Sequence, residues 1–134
     1  MTRLVQRLSD QSHRGTPIIV EGRKDEESLR KLGMDGPILC LKAEGKGFFE
    51  FLEGIDSNRK IIILTDFDKE GKKLAKMLLN ELSKRRIKVD DSIRKQIEGL
   101  IRQDIHTVQE LRDWIEGMQT RVRTAEENVG PQAA

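Results

Sequence analysis

The sequence predicts a small α/β protein, a Rossmann-like sandwich in which helices flank a short parallel sheet. The first observation is a pair of apolar runs, 18–20 and 61–64, without the polar alternation of a half-exposed strand. The second is the helical pattern that follows each run, because strands that alternate with helices are typical of parallel sheets. The predicted order is β-α-β-α-β-α, then an edge strand and two C-terminal helices. We expect an N-terminal helix at 1–14, the core at 15–89, the two extra helices at 90–118 and a disordered tail at 119–134.

The first half of the chain supplies the predicted elements around the first two strands. A short amphipathic helix is expected within residues 2–13. After the first strand, Asp25 can cap a helix that Gly33 ends. The second strand is expected at 38–42. Aromatic residues then mark a short helix, and we expect them in the core rather than on a base-stacking platform: Phe48, Phe49 and Phe51.

The second half begins with the third strand and a long helix from Lys69, whose leucines at 74, 78 and 82 form a core stripe. Residues 87–89 alternate and predict an edge strand. Two helices follow, the second opened by a capping box from Thr107 to Glu110. Inward positions are expected at Ile93, Ile97, Leu100, Ile101, Val108, Leu111, Trp114 and Ile115, and outward positions at Arg94, Lys95 and Arg102.

Composition limits the class of protein. A chain of 134 residues is long enough for one domain with a core, and 36% charged residues are typical of a soluble globular protein. The net charge of +2 is too small for a global field that would attract nucleic acid. The single cysteine, Cys40, lies in an apolar run and suits a reducing compartment. No stretch approaches the roughly 20 apolar residues of a membrane helix, so we expect a cytoplasmic protein with no membrane partner.

Acidic residues stand at the ends of two predicted strands. Asp66 and Asp68 follow the third strand, and Glu21 follows the first. Carboxyl ends of parallel strands share one edge of a sheet, and side chains two residues apart in extended backbone point the same way. Carboxylates that converge in this way repel one another unless a cation or a proton compensates them. A hard divalent cation with oxygen ligands, such as Mg²⁺, is the natural compensation.

Two motifs resemble a known family. The segments VEGRKD at 20–25 and TDFDKEG at 65–71 are similar to the two signature motifs of the Toprim domain, and the resemblance is good over residues 15–86. That domain is shared by type IA topoisomerases, bacterial-type primases, OLD-family nucleases and ribosomal-RNA maturation nucleases. The resemblance implies a Toprim-like fold, with Glu21 as general acid/base or metal ligand and with Asp66 and Asp68 as ligands of Mg²⁺, or of Mn²⁺ in its place.

One position departs from the topoisomerase pattern. Topoisomerases carry a further acid just after the motif glycine, and Lys72 stands there in this chain. The chain also has no tyrosine, so it lacks the nucleophile of a topoisomerase. The remaining expectation is a small stand-alone Toprim protein, related to primases and nucleases.

Several residues near the predicted site are candidates for binding substrate phosphates. The glycine-rich turn at 45–47 can wrap an anion with backbone N–H groups, or it is a plain flexible turn. Lysines that open the long helix can neutralise phosphates, or they form a solvated face. The candidates are Lys24, Gly45, Lys46, Lys69 and Lys72.

The most basic region runs from residue 84 to residue 102. It can contact a nucleic-acid backbone, although a solvated helix face is an equal alternative. The candidates for nucleic-acid contact are Arg85, Arg86, Lys88, Arg94 and Lys95. His106 and His13 are expected to be structural or exposed.

The leading functional hypothesis is Mg²⁺-dependent phosphodiester chemistry on nucleic acid, with RNA the favoured substrate, by nuclease-like hydrolysis or primase-like nucleotidyl transfer. The alternative is a non-catalytic RNA-binding module that joins RNA-processing machinery. A homodimer would extend the binding face of either. A phosphoacceptor receiver fits poorly, because receivers place the acid pair after the first strand and a lone Asp after the third.

Overall fold

A computed structural model describes residues 1–56 and 59–118, apart from the side chain of residue 44. Four parallel strands form one sheet in the order β2-β1-β3-β4, with helices packed around it. The α/β prediction is confirmed. The strands are β1 (Ile18–Val20), β2 (Ile38–Cys40), β3 (Ile61–Ile63) and β4 (Val89–Asp90). The helices are α1 (Thr2–His13), α2 (Arg23–Lys31), α3 (Phe48–Glu53), α4 (Lys69–Lys84), α5 (Ser92–Leu100) and α6, which covers 108–118, and one 3₁₀ turn spans Ala43–Gly45. The expected tail at 119–134 lies outside the described residues.

The two central strands are buried on both faces, and this explains their unbroken apolar sequence. Side chains alternate between the faces, so Ile18 and Ile62 enter one core cluster while Ile19 and Ile63 enter the other. The first cluster also receives α1, α5 and α6, and the second receives α3 and α4. Helices therefore cover both faces of the sheet.

The strand order creates a switch point between β1 and β3. The chain moves outward from β1 to β2, and then returns to place β3 on the other side of β1. In open α/β sheets, the crevice at such a point, outside the carboxyl ends of the strands, is where ligands bind. Glu21 follows β1 and Asp66 follows β3, so both lie at this crevice.

Three predicted orientations are wrong. Phe49 is 60% exposed, because α3 reaches the core chiefly through Leu52. Leu100, at the end of α5, is 56% exposed instead of inward. Arg94 is only 4% exposed instead of outward, because its guanidinium binds backbone carbonyls inside the molecule. Sequence periodicity assigns a cation to the solvent face by default, and only the tertiary fold supplies the acceptors that allow it to be buried.

Candidate active site at the carboxyl edge of the sheet

Glu21 and Asp66 are joined directly across β1 and β3. The backbone N–H of Asp66 donates to Oε1 of Glu21 at 3.1 Å. The backbones of the two strands are also hydrogen-bonded two residues earlier, where the N–H of Leu64 donates to the carbonyl of Ile19 at 2.8 Å. Glu21 is only 8% exposed, and burial raises its pKa, although the Asp66 N–H bond and the charge of Lys42 oppose the rise. This contact brings the Glu21 carboxylate to the backbone of Asp66, and the shared role of the two carboxylates stays a prediction.

Asp66 is held from the opposite side by the beginning of α6. The N–H of Val108 donates to Oδ1 of Asp66 at 2.9 Å, which places the carboxylate at the N-terminus of that helix. Burial nevertheless raises the pKa of Asp66 to about 7, and the negative charges of Asp25, Glu21 and Asp68 add to the rise. A nearby cation would therefore stabilise the charged form of this carboxylate.

Asp68 caps α4. Its Oδ1 accepts the N–H of Gly71 at 2.7 Å, and this bond fixes the carboxylate beside the first turn of the helix. A Cβ at position 71 would come within 1.9 Å of the Asp66 carbonyl oxygen, so only glycine fits there. The hydroxyl of Thr65 donates to the Gly71 carbonyl at 2.7 Å and ties the turn to the helix. The spacing from Asp66 to Gly71 thus reflects close packing between the turn and α4.

A fourth carboxylate, Asp25, was assigned only a capping role by the sequence. It does cap α2, because its Oδ2 accepts the N–H of Gly22 at 3.0 Å. It is also only 9% exposed, and burial raises its pKa despite hydrogen bonds from the backbone. Its charge acts on both Glu21 and Asp66. Its position one helical turn after Glu21 is the signal that could have identified it as part of the site.

Lys42 is a second residue that the sequence analysis missed. Its ammonium lies 3.5 Å from Oε2 of Glu21 and 3.0 Å from Oε1 of Glu70. It follows β2, whose carboxyl end lies beside that of β1. The apolar run before it predicted a strand over 38–42, so the sequence analysis treated Lys42 as a strand residue and not as part of the site.

The predicted phosphate-binding residues are exposed, and they lie in the helix turns or the loop that follow β1, β2 and β3. Lys24 and Lys69 are exposed in the first turns of α2 and α4. Lys72 is turned to Glu98 at 3.1 Å. Gly45 ends the 3₁₀ turn with φ at +67°, which explains the glycine, and Lys46 follows it on the surface. Their roles stay a prediction.

The predicted basic region is divided between the two edges of the sheet. Arg85, Arg86 and Lys88 lie between the end of α4 and the start of β4, at the amino edge. Because α4 runs the length of the sheet over 16 residues, they stand roughly 24 Å from the carboxylates. Lys95 is exposed on α5 and pairs with Asp91 at 3.2 Å. Arg94 is buried, which takes its side chain out of reach of a nucleic-acid backbone and corrects its assignment to such a surface.

The acids at this edge offer carboxylate oxygens, which are the kind of ligand that a hard divalent cation prefers. Within the described residues, however, no three or more His, Cys, Asp or Glu side chains are arranged so that they could surround one metal ion. Mg²⁺ is commonly bound through one or two carboxylates and keeps several waters. The arrangement therefore fits a sparse Mg²⁺ site at Asp66 and Asp68, and it does not form a ready-made three-ligand cage.

Comparison with known proteins agrees with this geometry. The Toprim domain matches residues 16–97. A UPF0292 protein of Thermococcus kodakarensis is 39% identical over 94 residues, 70% of this chain and 69% of the relative. Another from Pyrococcus furiosus is 38% identical over 104 residues, 78% of this chain and 77% of the relative. A third from Methanocaldococcus jannaschii is 42% identical over 82 residues, 60% of this chain and 63% of the relative.

A solved structure shares the fold. It is a protein from Aquifex aeolicus that aligns with a TM-score of 0.69 over 82% of this chain and 96% of that chain, at 22% identity. No helix in the described part of the chain is both long and apolar enough to span a bilayer.

Proposed function

The chain belongs to the Toprim domain family, and from that premise we propose that it performs Mg²⁺-dependent phosphodiester chemistry on RNA. Toprim domains in general belong to metal-dependent enzymes that act on nucleic acid. The observation that carries the proposal is the direct contact between the two acidic strand ends. Glu21 accepts the N–H of Asp66, and Asp68 follows two residues later at the start of α4.

Asp66 and Asp68 are the residues that would hold the metal. Each uses one carboxylate oxygen to accept a backbone N–H, and no hydrogen bond from the described residues to the other oxygen is seen. When bound, Mg²⁺ would polarise a phosphoryl oxygen and offset the charge that develops during the reaction. Mn²⁺ could take its place, because both ions accept carboxylate ligands.

Glu21 is the proposed proton-transfer group. Burial raises its pKa, which brings the carboxyl closer to the range in which it can take up and return a proton near neutral pH. Its Oε1 is occupied by the Asp66 N–H, and its Oε2 faces the ammonium of Lys42. A water or a hydroxyl group of the substrate would share Oε2 with the ammonium of Lys42.

The surrounding cations would orient phosphates. Lys69 and Lys24 extend from the first turns of the two helices that open at the site, and the turn at Gly45 and Lys46 lies at the same edge. Lys72 would exchange Glu98 for a phosphate oxygen. Each contact would be a charge-assisted hydrogen bond, which is stronger than a neutral one.

The test is a metal-dependent assay on labelled single-stranded and hairpin RNA, with and without nucleoside triphosphates. Wild type is compared with Asp66→Asn/Asp68→Asn, and with Glu53→Gln as a matched control because Glu53 is an exposed carboxylate on α3. Cleavage or extension that needs Mg²⁺, persists in the control and disappears in the double variant would establish the enzyme and identify the reaction. RNA left intact by the wild type with every metal would contradict the proposal.

The second candidate is an RNA-binding module of cytoplasmic RNA-processing machinery, in the form of a monomer or a homodimer. It is favoured by one observation: Arg85, Arg86 and Lys88 lie exposed at the edge opposite the carboxylates. Glu21→Gln separates the candidates, since it should abolish turnover in the enzyme and leave RNA affinity unchanged in the module. Arg85→Ala/Arg86→Ala should weaken RNA binding in the module and make it less dependent on salt.

A further inference from the structure

Arg94 on α5 makes three contacts with the turn that carries Asp66 and Asp68, and a fourth with Glu98 on its own helix. Its Nε donates to the Thr65 carbonyl at 3.1 Å, and its Nη2 donates to the Asp66 carbonyl at 2.6 Å. Its guanidinium carbon lies 5.6 Å from the centre of the Phe67 ring. Its Nη1 donates to Glu98 at 3.1 Å, which balances the charge. Three of the four partners of this buried guanidinium therefore belong to residues 65–67.

In the described part of the chain, no hydrogen bond other than those of Arg94 reaches the carbonyls of Thr65 and Asp66. β3 ends at Ile63, so the carbonyls of Thr65 and Asp66 lie beyond the ladder with β1. Thr65 is fully buried, and a carbonyl buried without a donor would be costly. The fork of an arginine can reach two neighbouring carbonyls at once, whereas a lysine ammonium cannot hold both in a fixed plane. Arg94 thereby sets the orientation of the peptides on either side of Asp66.

We propose that Arg94 is a positioning residue for the metal, which fixes the turn so that the Asp66 and Asp68 carboxylates are correctly spaced. The inference deepens the proposed function and rests on it. Arg94 touches neither substrate nor metal and acts through the two carbonyls. α5 therefore belongs to the working site, because it supplies the donors for these two carbonyls of the β3–α4 turn.

A purely structural role is the rival explanation, and the chain offers a matched control for it. Arg30 on α2 has the same bonding pattern, since it donates to the carbonyls of Met34 and Gly36 at 3.0 and 2.6 Å and to Glu26 at 3.3 Å. Those carbonyls precede β2, at the edge opposite the carboxylates. Arg30→Met removes the same kinds of bond far from the site.

The experiment measures the affinity of the metal-free protein for Mn²⁺ by calorimetry, with urea unfolding in parallel. Arg94→Met should weaken Mn²⁺ binding about 10-fold or more, the range expected when a partner of a ligand is lost. Arg94→Lys should recover part of the loss, because it keeps the positive charge and can still donate to one of the two carbonyls. Arg30→Met should bind Mn²⁺ like wild type even where it unfolds at lower urea. If Arg94→Met does not fold, Arg94→Lys is compared alone, and an intermediate loss of affinity is the supporting result.

Unchanged Mn²⁺ affinity in a folded Arg94 variant would overturn the inference, as would an equal loss in Arg30→Met. Failure of the proposed function has a different signature. In that case the wild type binds Mn²⁺, the Arg94 variants bind it more weakly, and none of the proteins changes RNA. A wild type that binds no Mn²⁺ would overturn both.

Discussion

The two acidic turns are built on one plan and are supported differently. The first acidic turn covers residues 21–25 and joins β1 to α2, and the second covers residues 65–71 and joins β3 to α4. In the first, Asp25 reaches back to the N–H of Gly22. In the second, Asp68 reaches forward to the N–H of Gly71. Both turns use a carboxylate to cap a helix whose positive end faces the site.

The difference lies in what holds each turn from outside. The first acidic turn is held by Lys42, whose backbone N–H donates to the Glu21 carbonyl at 2.8 Å and whose half-exposed ammonium lies 3.5 Å from Oε2 of Glu21. The second is fixed by elements from the end of the described chain, through Arg94 on its carbonyls, Val108 on the Asp66 carboxylate, and His106, whose carbonyl accepts the N–H of Phe67 at 2.7 Å. The turn proposed to bind metal is thus the one that the fold constrains more, as preorganisation of a site requires.

The largest expected difference between the two turns is in the unfolding free energy lost when the glycine of each turn is replaced by alanine. Gly71→Ala should cost about 3 kcal/mol of unfolding free energy, because its Cβ would lie 1.9 Å from the Asp66 carbonyl oxygen and α4 must shift. Gly22→Ala should cost less than about 1 kcal/mol, since no atom lies within 4 Å of its added Cβ. Urea unfolding of both variants measures the difference. Equal costs would show that the second turn is not the more tightly packed one.

Removing the Asp66 charge should change how stability depends on pH. The pKa of Asp66 is raised from 3.8 to about 7 in the folded protein, so the folded state holds this proton more tightly than the unfolded state. Its contribution to stability is therefore full below pH 4 and is lost as pH rises through about 7. Asp66→Asn should be more stable than wild type at pH 8 without divalent cations, by about 1 to 2 kcal/mol after allowance for solvent screening.

Urea midpoints at pH 4 and pH 8, with Glu53→Gln as the exposed-carboxylate control, check this prediction. Added Mg²⁺ should stabilise the wild type at pH 8 and leave Asp66→Asn unchanged. A wild type that gains stability relative to Asp66→Asn between pH 4 and pH 8 would contradict the sign.

The sequence was sufficient for the parts of the fold that follow a local pattern. The strands β1 and β3 were visible in their unbroken apolar runs, and the edge that gathers Glu21 and Asp66 followed from parallel topology. Asp68 at the start of α4 was also predictable, because strand, acid and glycine stand in order. The Toprim resemblance then gave these acids a role that spacing alone left open.

The parts that depend on distant pairing could not be predicted. Arg94 was assigned to solvent because its acceptors, the carbonyls of Thr65 and Asp66, lie 29 and 28 residues away in sequence. Lys42 appeared to be the end of a strand, and Asp25 to be only a cap. For each of these three residues, the sequence shows a charged side chain, but only the fold determines which group that side chain contacts.

Removal of the carboxylates that cap α4 and α2 should change the unfolding free energy by smaller amounts. Asp68→Ala should cost about 1 kcal/mol, the usual value for loss of a helix cap. Asp25→Ala should cost less at pH 8, because it also removes a buried charge that repels Glu21 and Asp66. Urea unfolding at pH 8 without divalent cations compares them. The explanation by repulsion fails if Asp25→Ala is the more damaging change.

The smallest effect on stability is expected at Lys42. Its side chain is 52% exposed, and ion pairs of this kind contribute about 0 to 1 kcal/mol, so Lys42→Met should leave the unfolding free energy nearly unchanged. The charge of Lys42 nevertheless lowers the pKa of Glu21, so its removal should raise that pKa further. Carbon-13 NMR titration of the Glu21 carboxyl measures the shift, with Lys31→Met as a control because Lys31 is exposed in the last turn of α2. An unchanged or lower Glu21 pKa would mean that the charge of Lys42 does not act on the Glu21 carboxylate.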